Sequence, residues 1–415
     1  MAWVSSQEFS TDGREVDCDG FRVFLHQKCL IRSIRDGRID AGESEFIDLR
    51  PMDWVTMNPR EPEPSEWPIL VTGASGFLGG HVARGLALAG HRVRGLTRRP
   101  PQIRPGDPPI EWITGDLRSS SDRHLALDAM RGVVHVASWV SLGSDPKGDG
   151  VAINVEATRG LLADAIASGV ERFVYTSTLH TLAAGSAEAP ADESTEWNLE
   201  RVQSPYARTK REAESIVLDG LGGRLPGVVL CPGLIVGPRD PKPTSTSLLL
   251  VMAGTPVAFL PGGGIPLIDA EVAAIAHRRA LVLGRPGSRY ALVGPYLSYV
   301  ELAHLVGRVA AWPKVVVLLP DSLEFPLTRL AGAFDRLAGG RFLEISRAAV
   351  AGGFLKLHVS GSLADTTFNL VHPDPLHSVG EALRDFWSAK STGRETKHRG
   401  SDLRVDQSGV GPSSC

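Results

Sequence analysis

Residues Thr72-Gly-Ala-Ser-Gly-Phe-Leu-Gly79 decide the fold. They follow the apolar run Ile69-Leu-Val71 and lead straight into Gly80-His-Val-Ala-Arg-Gly-Leu86, where apolar residues recur at helical spacing. Strand, glycine-rich turn and helix in that order make a seat for a phosphate. Gly73 permits the tight turn, Gly76 lets backbone approach a pyrophosphate, and Gly79 allows helix and strand to pack closely. The helix N-terminus offers unpaired N–H groups to the anion. An ordinary turn that happens to use three glycines is the plain alternative, and the flanking strand and helix argue against it.

Outward from this turn, short apolar runs alternate with helical segments. Val93-Arg-Gly-Leu-Thr97, Val133-Val-His-Val136 and Arg172-Phe-Val-Tyr-Thr-Ser177 are separated by residues 80–89, 122–130 and 155–168, which show helical periodicity. The alternation predicts an α/β fold, a Rossmann-type doubly wound parallel sheet covered on both faces, with ligands at the carboxyl ends of the strands. Residues 68–235 are the expected dinucleotide-binding domain. Beyond them Pro and Gly become frequent, and residues 236–390 read as a smaller, interleaved substrate region with short strands at Tyr290-Ala-Leu-Val293 and 315–319. Residues 1–67 are a charged extension ending in a Pro-rich linker, with no function assigned, and residues 391–415 are polar, Gly/Ser-rich and expected to be disordered.

Composition limits the partners. A formal net charge of -3 with both signs interleaved leaves no broad basic face, which argues against nucleic acid or an anionic membrane and for a small-molecule substrate. Cys18, Cys29, Cys231 and Cys415 are scattered without metal-ligand spacing, so no metal is expected. No run approaches the roughly 20 apolar residues of a membrane span, and no leader pattern opens the chain, so a cytoplasmic location is expected. The nearest apolar stretch, residues 248–261, is broken at Gly254-Thr-Pro256 and reads as buried helix and loop.

Tyr206-Ala-Arg-Thr-Lys210 puts two side chains on one helix face, one turn apart. Free tyrosine, with a pKa of about 10, is a poor acid–base group at neutral pH, and an adjacent ammonium lowers that value by stabilising the phenolate. Upstream, Arg172-Phe-Val-Tyr-Thr-Ser-Thr-Leu-His180 ends a strand in hydroxyl side chains.

With these motifs in order, residues 68–388 resemble the extended short-chain dehydrogenase/reductase superfamily of the NAD-dependent epimerase/dehydratase type. The resemblance implies that Gly73, Ser75, Gly76, Phe77, Leu78 and Gly79 cradle the cofactor. It implies further that Thr178 polarises a substrate carbonyl, Ser177 being the second candidate, and that Tyr206 and Lys210 are both catalytic and cofactor-binding. Where an acidic residue would bond the ribose of NAD, this chain reads Gly95-Leu-Thr-Arg98-Arg99; arginine there suits a 2′-phosphate, so NADP is favoured and NAD stays open. Asp116 and Leu117 match the pair that lies against the adenine, with a helix N-cap as the plain alternative. In Val134-His-Val-Ala-Ser138, Ala137 would run along the cofactor while His135 is structural, and the helix from Asn154 reads as scaffold, with Ala157 and Gly160 departing from the family pattern.

Leu230-Cys-Pro-Gly-Leu-Ile-Val-Gly-Pro238 is similar to a family segment in which nucleotide-sugar epimerases carry an asparagine; Gly233 stands there, and Leu230 or Cys231 replaces an arginine. That shifts the resemblance toward dihydroflavonol reductase and 3β-hydroxysteroid dehydrogenase. The expected activity is hydride transfer between NADP(H) and a carbonyl or secondary alcohol of a small, weakly charged substrate. Nucleotide-sugar epimerisation or dehydration with tightly held NAD, and a non-catalytic dinucleotide sensor, are the alternatives. Residues 184–204 would form a mobile border to the substrate site, and the helices at 155–168 and 206–219 are candidates for a homodimer contact.

Overall fold

The alternating apolar runs pair into one sheet. The computed structural model describes residues 67–401, short stretches excepted of which 338–346 is the longest, and four strand segments between residues 14 and 39. Met1–Glu63 and Pro64–Cys415 are separate units. In the first, Arg14–Cys18 pairs antiparallel with Phe21–Leu25, and Ile34–Arg35 with Arg38–Ile39.

In the second, Pro68–Thr72 (β1), Arg92–Thr97 (β2), Glu111–Thr114 (β3), Gly132–His135 (β4), Arg172–Thr176 (β5), Gly227–Pro232 (β6) and, much later, Arg289–Leu292 form one sheet. All neighbours in it are parallel. Its order is β3-β2-β1-β4-β5-β6 with Arg289–Leu292 at the far edge, so the direction of winding reverses between β1 and β4. β4 and β5 are buried along their whole length, as strands covered on both faces must be.

Two apolar layers cover the faces. On one side Phe77–Leu88 (α1) lies beside Ala270–Leu283, burying Val82, Leu86, Ala273 and Ala280 against Ile69, Val71 and Val134. On the other, Ser120–Leu127 (α2), Ala157–Ala167 (α3) and Pro205–Gly220 (α4) bury Leu127, Leu161, Ala213 and Val217 against Val133, Phe173 and Tyr175. Each such fully buried Val, Leu or Ile side chain contributes about 1.5–3 kcal/mol. Helix starts follow local chemistry: Ser119 caps α2 by accepting from the Asp122 N–H, and Ser204 caps α4 ahead of Pro205 at its first position.

After β6 come Leu234–Val236 (β7), Ser245–Gly254 (α5), Val257–Pro261 (β8), Gly264–Asp269 (β9) and Ala270–Leu283 (α6). Arg289–Leu292 is β10; Tyr296–Ser298 (β11), Tyr299–Val309 (α7) and Val315–Leu319 (β12) follow. The C-terminal part is interleaved with the sheet, since α6 and β10 return to it while β7, β9 and β11 make a separate small sheet. Residues 248–261, read as buried helix and loop, are α5 followed by a strand: β8 pairs with β12, and its alternation leaves Val257 and Phe259 outside while Ala258 turns in. The last helix, Pro375–Ser401, extends into the stretch expected to be without order, because lengthening a formed helix fixes one residue per added bond. No described helix is long and apolar enough to cross a membrane.

Candidate active site

Parallel register brings the motifs to one edge. Thr72 pairs with His135, His135 with Tyr175, and Tyr175 with Val229, so the residues just after β1, β4, β5 and β6 emerge side by side at the carboxyl end of the sheet. The glycine-rich turn follows Thr72, Ala137 follows β4, and Thr178 follows β5.

The turn is built for close approach. Gly73 has φ +70, and a Cβ there would lie 2.8 Å from the backbone of Ala137, a conformation and a contact that only glycine accepts. A Cβ on Gly79 would lie 2.2 Å from the Gly73 carbonyl oxygen. Gly76 caps α1 with no side chain, and no acidic residue occupies the first turn, which leaves this helix end to a ligand anion. The cradle therefore fits a dinucleotide pyrophosphate. Leu78 is buried and half-buried Phe77 opens the helix, so both would meet a ligand through backbone. Thr97 donates to Ser75 at 2.7 Å, tying the turn to the end of β2.

Arg98 and Arg99 are exposed just beyond β2, and the charge of Arg98 reaches Asp116. Asp116 is bound through both oxygens by the Arg118 guanidinium, at 3.0 and 2.7 Å, which with Arg98 holds its carboxyl down at about 2. It is not the helix cap; Ser119 is. Leu117 is buried. A cavity of about 900 Å³ opens beside the turn, walled by Ala74, Ser75, Gly76, Arg84, Trp112 and Arg239 among others; Thr178, Tyr206 and Lys210 are not part of its wall.

His135 is a structural residue. It is fully buried between the Thr72 hydroxyl at 2.7 Å and the Thr158 hydroxyl at 2.8 Å, and burial pulls its pKa down to about 3. Asn154, in a wide π-type turn over Val151–Glu156, does more than support α3. Its amide nitrogen donates to the Trp139 carbonyl and the Thr209 hydroxyl, each at 3.0 Å, and its oxygen accepts from Trp139 N–H and Ser138. All four hydrogen-bonding positions are used, and the loop after β4 is fastened to α4.

The hydroxyl strand end separates its two candidates. Thr178 stands near enough to Tyr206 for its hydroxyl to lower the pKa of the phenol, whereas Ser177 donates to the Glu214 carboxylate. Burial pushes the Tyr206 phenol up to about 12, and the Thr178 hydroxyl pulls against that shift. Lys210 is 2% exposed; its ammonium donates to the Thr176 carbonyl at 2.6 Å and sits 4.3 Å from the centre of the Tyr175 ring. Burial lowers its pKa to about 7, against the pull of Glu214.

Sequence reasoning overlooked three neighbours. His180 approaches the Thr178 hydroxyl at 3.4 Å. Glu214, one turn beyond Lys210 on α4, is 3% exposed and meets Arg289 at 3.2 Å and the Cys231 thiol at 3.9 Å. Glu193 accepts from the Ala291 N–H at 2.8 Å and through its carbonyl from Arg289. The repeat of Tyr206, Lys210 and Glu214 at four-residue spacing was the available signal for Glu214; nothing in the sequence announces Arg289. Residues 184–204, expected to be mobile, are tied down: Gly185 and Ala191 donate to the His358 carbonyl, and Ser360 to that of Ala191.

Residues 69–255 match the family model of the NAD dependent epimerase/dehydratase family. A Synechocystis sp. protein provisionally named dihydroflavonol 4-reductase is 33% identical over 62% of this chain and 76% of its own. Sterol demethylase protein B of Methylococcus capsulatus is 28% identical over 64% of this chain and 82% of its own. Among solved structures, that of gox2253 superposes with a TM-score of 0.65 at 28% identity, over 78% of this chain and 99% of the other.

Proposed function

The chain belongs to the NAD dependent epimerase/dehydratase family and is an NAD(P)-dependent oxidoreductase, and from that premise we propose that it moves a hydride between NADP(H) and a carbonyl or secondary alcohol of a small, weakly charged substrate. The observation that carries the reading is the meeting of the Thr178 hydroxyl with the Tyr206 phenol at the strand edge that also holds the glycine-rich turn. Relatives named as a reductase and as a sterol demethylase protein, together with Gly233 in place of the epimerase asparagine, support a weakly charged substrate.

The bound nicotinamide supplies or accepts the hydride. Tyr206 gives its phenolic proton to the carbonyl oxygen as the carbon is reduced, and takes it back in the reverse direction. The Thr178 hydroxyl is the second donor to that oxygen, so two fixed donors meet the charge that develops there. Proton release from a phenol raised to about 12 would be assisted by a cation, and Lys210, four residues on along α4, is the residue that would supply it. Phe77, Leu78 and Gly79 would hold the pyrophosphate through backbone, Ala137 would line the path of the cofactor, Leu117 and Asp116 would border the adenine, and Arg98 would take the 2′-phosphate. In solution we read α3 and α4 as the contact of a homodimer, to be checked as twice the mass of one chain by light scattering.

The experiment is NADPH-dependent reduction of a panel of aryl, steroid and aliphatic ketones by wild type and Tyr206→Phe. Turnover with NADPH that falls about 10²-fold or more in the variant supports the reading. Equal turnover in the two proteins overturns it, and NAD that survives purification with turnover needing no added nicotinamide moves the chain to the epimerase branch of its family.

A further inference from the structure

Lys210 presents a physical problem. A lysine ammonium at 2% exposure has one neutral acceptor, the Thr176 carbonyl at 2.6 Å, and one ring face, that of Tyr175. Neither carries charge, and an ammonium out of water is costly unless it is paired. The groups around it are Glu214 on α4, Tyr175 and Thr176 on β5, His135 on β4 and Cys231 on β6, with Tyr206 one turn earlier on α4 and Arg289 of β10 and Glu193 behind Glu214. Only Glu214 among those facing Lys210 is a carboxylate, and it lies one helical turn beyond.

Glu214 is itself held in place. Ser177 donates to one carboxylate oxygen, Arg289 reaches the other at 3.2 Å, and the Cys231 thiol stands 3.9 Å away. Arg289 is fixed in turn by the Glu193 carbonyl. The end of β5, β6 and β10 thus converge on one buried carboxylate.

We propose that Glu214 is a positioning residue for the Tyr206–Lys210 pair: its carboxylate, clamped by Ser177 and Arg289, supplies the fixed negative charge against which the Lys210 ammonium is held. The role rests on the reductase reading above, in which Lys210 is the cation beside the phenol. Burial draws Lys210 down to about 7, and Glu214 is the first of the groups opposing that shift; without it the lysine is neutral at the working pH and the phenol loses its cation. Ser177, the second candidate for the carbonyl donor, is committed to this clamp.

The test is a titration of the lysine itself, using ¹³C NMR of protein labelled at lysine Cε, with Lys210→Arg to assign the signal. Wild type is expected to show a Lys210 midpoint near 7, and Glu214→Gln, which keeps an acceptor for Ser177 and removes the charge, is expected to lower it by about one unit or more. Arg289→Met frees Glu214 from its competing cation and should move the midpoint upward, a second reading that remains if Glu214→Gln does not fold. A Lys210 midpoint unmoved by both variants overturns the proposal. Turnover distinguishes the two layers: if Tyr206→Phe abolishes reduction while the midpoint stays put, only the role of Glu214 falls, and if Tyr206→Phe retains turnover, the catalytic reading falls with whatever Glu214 does.

Discussion

The Thr178 hydroxyl faces the Tyr206 phenol, while its neighbour Ser177 turns the other way to Glu214. Consecutive residues on an extended strand point to opposite sides, so one of the two can face the substrate only if the other faces the protein. Thr178→Val, which keeps the shape and removes the hydroxyl, should lower kcat for ketone reduction by about 10²-fold with little change in melting temperature. Ser177→Ala should do the reverse, costing about 1–3 kcal/mol by leaving a buried carboxylate oxygen short of a donor. Steady-state kinetics and thermal melts on the pair decide it; a larger kcat loss in Ser177→Ala would transfer the carbonyl-binding role to Ser177.

The glycines of α1 should differ sharply in their tolerance. A methyl on Gly79 would sit 2.2 Å from a backbone oxygen that has nowhere to go, whereas one on Gly85 meets only Ala274, at 4.0 Å. Gly79→Ala is expected to destabilise by about 1–3 kcal/mol and to remove dinucleotide binding. Gly85→Ala should stabilise by up to about 1 kcal/mol through helix propensity and leave binding intact. Denaturant unfolding and NADPH fluorescence titration of the two proteins check this, and equal effects at the two positions would discard the packing argument.

Cofactor choice should turn on Arg98. A charge-assisted bond to a 2′-phosphate is worth about 1.5–3 kcal/mol, which corresponds to roughly 10- to 100-fold in affinity. Arg98→Ala should lose that factor toward NADPH and keep its affinity for NADH. Parallel losses toward both cofactors, measured by calorimetry, would show that Arg98 does not read the phosphate.

Acid should weaken the fold while most carboxylates are still ionised. His135 and His277 are fully buried, with pKa values lowered by burial to about 3 and 4. Between these values and about 6.5 the unfolded chain binds protons that the folded chain refuses, so stability is full above pH 6.5 and declines as pH falls. At pH 5 each histidine costs on the order of 2 kcal/mol. Melting temperatures that stay level from pH 7.5 to pH 5 would contradict the neutral, buried assignment.

Asn154 should matter beyond its helix. Asn154→Ala takes the acceptor from the Trp139 N–H and one donor each from the Trp139 carbonyl and the Thr209 hydroxyl, for an expected loss of about 1–3 kcal/mol. Because the lost bonds joined the loop after β4 to α4, kcat should fall as well; unchanged stability and turnover would reduce Asn154 to a spectator.

The sequence by itself determined what is local. Backbone freedom at Gly73, packing room at Gly79, a four-residue spacing that puts Tyr206 and Lys210 on one helix face, and the 2.0 and 3.6 periodicities of strand and helix are properties of a few consecutive residues, and they sufficed for the Rossmann-type sheet and its glycine-rich turn. The tertiary structure decided what depends on partners far along the chain. Whether Ser177 or Thr178 faces the phenol is set by Glu214, 37 residues later; the setting of Glu214 depends on Arg289, another 75 residues on; and Arg289 is there only because β10 returns to the edge of the sheet beside β6. Residues 184–204 are tied down by residues 358–360, and residues 257–261 form a strand because Val315–Leu319 pairs with them. Hydrogen bonds and charge pairs act over a few ångströms of space with no regard for sequence distance, so a buried carboxylate and its clamp take shape only when the sheet has brought their strands together.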